Sequence, residues 1–138
     1  MKNQFFLLLV ISIASLLFFA CNEENPIENI GSSPNISIGQ TSSDTHAIAV
    51  TASNSEAANQ TTAVIFTKDT IILSYSVTAY GGGEATIELR NSYKESKVYN
   101  LNSNQLIGQE PLNFKLSQVH INIKAGYTGV IAMAALGK

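Results

Sequence analysis

His120, Asn122 and Lys124 alternate along "QVHINIKA" (118–125), so on a strand their side chains share one face. An imidazole, an amide and an ammonium in a row form a polar strip able to contact a ligand. Glu84 and Glu88 are the nearest pair of carboxylates in the same half of the chain. Four residues of strand separate them by about 13 Å, more than the carboxylate spacing glycosidases use. Two acids on one flat strand also lack a cleft, which places hydrolysis third among the functions considered. Asp44 and His46 are two apart and would share a strand face, an arrangement metal sites use. His120 is the only other histidine and the chain holds one cysteine, so neither metal nor cofactor is expected. No Ser stands in a G-x-S-x-G elbow. Gly81-Gly82-Gly83 lies between two strand patterns rather than ahead of a helix, and reads as a hairpin turn, not a phosphate cradle. The chain has no Trp, which leaves Tyr80, Tyr93 and Tyr127, all beside turn residues, as candidate stacking contacts at one end of the fold.

The elements that position these side chains have an apolar period of two. "TIILSYSVTAY" (70–80) sets Ile71, Leu73, Tyr75, Val77 and Ala79 against Ser74, Ser76 and Thr78. "EATIELRN" (84–91) and the 118–125 stretch alternate in the same way. One buried and one wet face is the pattern of antiparallel sheet. Weaker strands are expected at 35–39, 46–52, 62–67, 96–101 and 112–116. "GVIAMAAL" (129–136) is apolar on both faces, as a central strand is, or a helix rich in Ala and Met. "AGYTG" before it reads as a hairpin loop and favours the strand. About eight or nine short strands predict a single all-β domain over 36–138, an antiparallel two-layer sandwich of immunoglobulin-like or jelly-roll connectivity.

Charge in this region balances. Lys68, Arg90, Lys94, Lys97, Lys115, Lys124 and Lys138 stand against Asp44, Glu56, Asp69, Glu84, Glu88, Glu95 and Glu110. A neutral domain without a basic stripe excludes nucleic acid as a partner class. Ahead of it, "CNEENPIENIGSSPN" (21–35) has acids, Pro, Gly and Ser and no apolar period, and reads as a disordered acidic tether.

The N-terminus decides location. Lys2 precedes "FFLLLVISIASLLFFA" (5–20), an uncharged run short of the about 20 residues a membrane span needs. A basic start and a short apolar core fit an export signal. Ordinary cleavage before Cys21 would put bulky Phe18 at −3. Leu17-Phe18-Phe19-Ala20-Cys21 instead resembles the lipobox of bacterial lipoproteins. That resemblance implies a cleaved signal over 1–20, diacylation of the Cys21 sulfur, and membrane attachment through the lipid. Multiple acyl chains give a stable anchor where one does not. Glu23 and Glu24 resemble the acidic export signal of Bacteroidota surface lipoproteins, which implies the outer membrane and the cell surface, with a periplasm-facing anchor as the alternative. Asp69-Thr70-Ile71 is similar to short O-glycosylation sites of exported Bacteroidota proteins, which makes Thr70 a candidate modification site.

These readings together point to a lipid-anchored envelope protein that is not an enzyme, a binding or adhesion module for protein or glycan. An accessory subunit of an envelope complex, with no ligand of its own, is the alternative.

Overall fold

The computed structural model describes residues 31–138; the signal peptide, Cys21, Glu23, Glu24 and most of the tether lie outside the described residues. Nine strands follow in order: β1 (Asn35–Ser42), β2 (Thr45–Ala52), β3 (Ala58–Ala63), β4 (Ile71–Gly82), β5 (Ala85–Arg90), β6 (Ser96–Asn100), β7 (Gln105–Leu112), β8 (Gln118–Ile123) and β9 (Thr128–Gly137). They form a five-stranded sheet, β1-β2-β9-β4-β7, and a four-stranded sheet, β3-β8-β5-β6. All neighbouring pairs are antiparallel. The order β2-β9-β4-β7 over β3-β8-β5-β6 is the double Greek key of a jelly roll, with β1 added along one edge. This connectivity answers the topological alternative that the pattern of period two leaves open.

Alternation builds the core. Ile48, Val50, Ile71, Leu73, Val77, Ile131 and Met133 point inward from one sheet. They meet Ile87, Leu89, Val119, Ile121 and Ile123 from the other. The edge-on ring pair Tyr75–Tyr99, with centroids 5.1 Å apart, adds to this layer. β9 lies between β2 and β4, with Ile131, Met133 and Ala135 in the core, but Val130, Ala132, Ala134 and Leu136 are exposed on the outer face, so its place in the sheet does not account for the second apolar face.

Two expected strands are displaced. Val64 and Phe66 are buried and Ile65 is exposed, so 62–67 alternates like a strand. The ladder nevertheless ends at Ala63, because its partner β8 begins at Gln118. Polar "ANQTTA" pairs instead, where β8 offers Asn122 and His120 opposite Asn59 and Thr61. Similarly, Leu112 and Leu116 anchor 112–116 in the core, but the ladder uses 105–112. Pro111 is tolerated there because β7 is an edge strand.

The triple glycine does not close a hairpin. β4 and β5 belong to opposite sheets, so the turn crosses the sandwich. β4 bulges after Thr78, with Ala79 at φ 51°, and bends toward the other sheet. Gly83 has φ 84°, and a Cβ there would lie 2.5 Å from Tyr127 Cα, so the crossing requires glycine. "AGYTG" is likewise a crossing, from β8 to β9. At the N-terminal edge, residues 31–34 are held rather than free. Gly31 N donates to Asn54 O at 2.6 Å and Ser33 Oγ to Glu56 Oε2 at 3.1 Å. Asn35, assigned to the tether from sequence, is the first residue of β1.

Candidate functional site

The outer face of the four-stranded sheet collects most of the polar candidates. β8 turns Val119, Ile121 and Ile123 into the core, which leaves His120 and Asn122 outward and half-buried. The register then assembles two rows across the sheet: Thr61–His120–Glu88–Val98 and Asn59–Asn122–Thr86–Asn100. His120 Nδ1 and Thr61 Oγ1 are hydrogen-bonded at 2.7 Å. Glu88 faces His120 and is ion-paired with Arg90. The Arg90 hydrogen bond is the main cause that holds the Glu88 carboxyl below the usual range, the opposite of what a general acid needs.

Beyond the second row, Lys124 leaves β8 and forms an ion pair with Glu84, while its backbone N donates to Glu84 O at 2.9 Å. Glu84, Thr86, Asn100, Asn102, Asn122 and Lys124 line one shallow depression of about 320 Å³. Asn102 Oδ1 accepts from Ala85 N at 2.9 Å, which pins this rim to the start of β5. The side-chain amides of Asn100 and Asn122 make no hydrogen bond within the described residues and remain available. An open depression rich in amides, one hydroxyl and a mutually neutralised ion pair presents paired donors and acceptors without net charge. Asn122 and Lys124 were legible in the sequence. Thr86, Asn100 and Asn102 were not, because only cross-strand pairing brings β5, β6 and their loop beside β8.

The tyrosines do not form one patch. Tyr127 is fully buried and donates its hydroxyl to Leu101 O at 3.0 Å, so it has no surface to offer a ligand. Burial pushes its phenol up to about 12. Tyr80 is half-buried beside it, ring centroids 6.1 Å apart, and donates to Gly83 O at 3.0 Å. Tyr93 is 85% exposed at the opposite end, in the β5–β6 loop. There it shares an apolar recess with Ile65, itself 75% exposed, and with Lys115, which is ion-paired to Asp69. Thr70 is exposed immediately ahead of β4.

Asp44 and His46 do not share a face. Asp44 lies in the β1–β2 turn, where its carboxylate accepts from Thr67 N and Thr67 Oγ1, both at 2.6 Å, and from Lys68 N at 3.2 Å. The Thr67 hydroxyl is the main cause of its lowered pKa. His46 points inward, is buried, and its Nε2 donates to Ile65 O at 3.0 Å. Its ring packs 4.8 Å from that of Phe66. Asp44 therefore fastens Thr67 and Lys68 to the β1–β2 turn, and His46 fastens Ile65 to β2. Among the described residues no three His, Cys, Asp or Glu side chains are grouped to hold a metal ion.

No family model matches this chain, and no curated protein matches it.

Proposed function

We propose that this chain is a lipid-anchored envelope module, not an enzyme, held at the outer membrane through Cys21 and exposed at the cell surface. In this reading it contacts a hydroxyl-rich ligand, a glycan, through the outer face of the four-stranded sheet. The carrying observation is the depression in which Asn100, Asn102, Asn122 and Thr86 meet the Glu84–Lys124 pair. Amide side chains both donate and accept, as paired hydroxyls do. The depression is shallow, which suits a polymer lying across it better than a small molecule enclosed in a pocket. Glu88 and Glu84 are each committed to a cation on this face, which supports binding rather than hydrolysis.

Calorimetric titration against a panel of envelope and capsular oligosaccharides tests the reading. The wild type should bind at least one of them. Asn122→Ala and Asn100→Ala should each weaken binding about tenfold, the loss expected for a hydrogen bond worth about 1.4 kcal/mol, with unchanged Tm. A wild type that binds none of the panel, or variants that bind as the wild type does, would overturn it.

A further inference from the structure

The two outer faces of the sandwich differ in a way that the folding of one chain does not require. β1, β2, β4 and β9 contain no charged residue. The single charge on the five-stranded sheet, Glu110 of β7, is taken by Lys97 of β6 around the side of the sandwich. The centre of the outer face is made of alanine: Ala47 pairs with Ala134 and Ala49 with Ala132 on neighbouring strands. All four are exposed. Alanine is a poor strand former, and exposed strand positions ordinarily carry Thr, charged or β-branched residues. Gly39, opposite Ala47 on β1, would meet nothing within 4 Å if it bore a Cβ, so the fold gives no internal reason for its smallness. Leu106, 80% exposed, closes the other row, that of Ala49 and Ala132, at the β7 edge beyond Ser76.

We infer that this face is the contact surface for a second copy of the same chain. Interface centres are depleted of charge, and a face without charge meets its own copy with no like-charge repulsion and no ion to desolvate. Small side chains let two sheets approach closely, which gives alanine and glycine a role that a solvated face does not. Five strands about 4.8 Å apart, paired over about seven residues at roughly 3.4 Å each, give a face of about 570 Å². Two such faces bury about 1,100 Å² together, above the roughly 1,000 Å² expected of a biological interface. The opposite sheet, with Glu88, Arg90 and His120 outward, stays free. Association through the alanine face would leave the two amide-lined depressions on opposite outer sides of the pair, each open to ligand.

The test uses the full mature lipoprotein in mild detergent, with the bound detergent density-matched during sedimentation equilibrium. The protein mass should be at least that of two chains at micromolar concentration. Ala132→Lys should raise the dissociation constant at least tenfold, and Ala132→Ser should leave it unchanged. As a measurement that does not depend on a charged variant folding, Ala132→Cys should be shielded from a membrane-impermeant maleimide, while Ser96→Cys on the other sheet reacts. A wild type that sediments as one chain overturns the inference. So does an Ala132→Lys chain that keeps its strand circular dichroism and its oligomeric mass, or an Ala132→Cys that reacts as fast as Ser96→Cys.

Discussion

Tyr127 shows how one side chain can be both loop and core. Its backbone carbonyl accepts from Ser55 N at 3.0 Å, and its hydroxyl reaches Leu101 O across the sandwich. It thereby joins the β2–β3, β6–β7 and β8–β9 loops at one end of the fold. Tyr127→Phe should cost about 1 to 3 kcal/mol in chemical denaturation, because the Leu101 carbonyl loses its buried donor. The raised phenol sets a pH dependence. A tyrosine whose folded pKa exceeds its unfolded value of about 10 contributes stability that is complete below pH 10. That contribution is lost as pH rises from there through about 12. Denaturation midpoints between pH 9 and 12 should fall less steeply for Tyr127→Phe than for the wild type. Equal slopes would show that another group governs the alkaline limit.

At the scale of an element, β8 is the hinge between packing and recognition. It is the central partner of both β3 and β5, and it carries Val119, Ile121 and Ile123 inward. Ile121→Ala should cost about 2 to 5 kcal/mol, as a large-to-small change in a closed core does. Lys124→Ala should cost less than about 1 kcal/mol, because its ion pair with Glu84 is exposed. Urea midpoints of the two variants check both, and the reverse order would place β8 in the wrong register. The edges show where local pattern misleads. Segments 62–67 and 112–116 alternate as strands do, yet each runs on past the end of its ladder, at Ala63 and at Leu112. Burial of Phe66 and Leu116 needs an extended chain, not a place in a ladder.

For the whole molecule, the proposed function gives the N-terminus and the sandwich separate work. The lipobox, Cys21 and the two glutamates lie outside the described residues, and their role is proposed from their likeness to lipoprotein signals. Cys21→Ala should accumulate as unprocessed precursor, and intact-mass measurement of the wild type should find acyl chains on Cys21 at the mature N-terminus. Glu23→Ala with Glu24→Ala should keep the lipid but reduce cleavage of the domain by protease added to whole cells. A wild type already shielded from that protease would place the domain on the periplasmic side. Neither variant should move the melting temperature, since these residues precede the first strand and the hydrogen bonds of Gly31 and Ser33.

The sequence alone determined that the domain is antiparallel β, which residues of β5 and β8 are buried and those of β4 as far as Val77, and that His120, Asn122 and Lys124 lie outward. These follow from a period of two, which is local: each side chain's direction is set by its neighbours along the strand. Ala79, expected on the buried face of β4, is exposed because the strand bulges after Thr78. The structure decided what depends on partners distant in the chain. Jelly-roll order, the sheet crossings at Gly83 and at Tyr127, and the depression shared by Asn100, Asn102 and Asn122 are all products of pairing. A tyrosine beside glycines looks the same in sequence whether it meets water, as Tyr93 does, or a buried carbonyl, as Tyr127 does. The charge-free alanine face was present letter by letter in β2 and β9, but those strands are far apart in the chain. Only their register, Ala47 against Ala134 and Ala49 against Ala132, turns separate small residues into one surface.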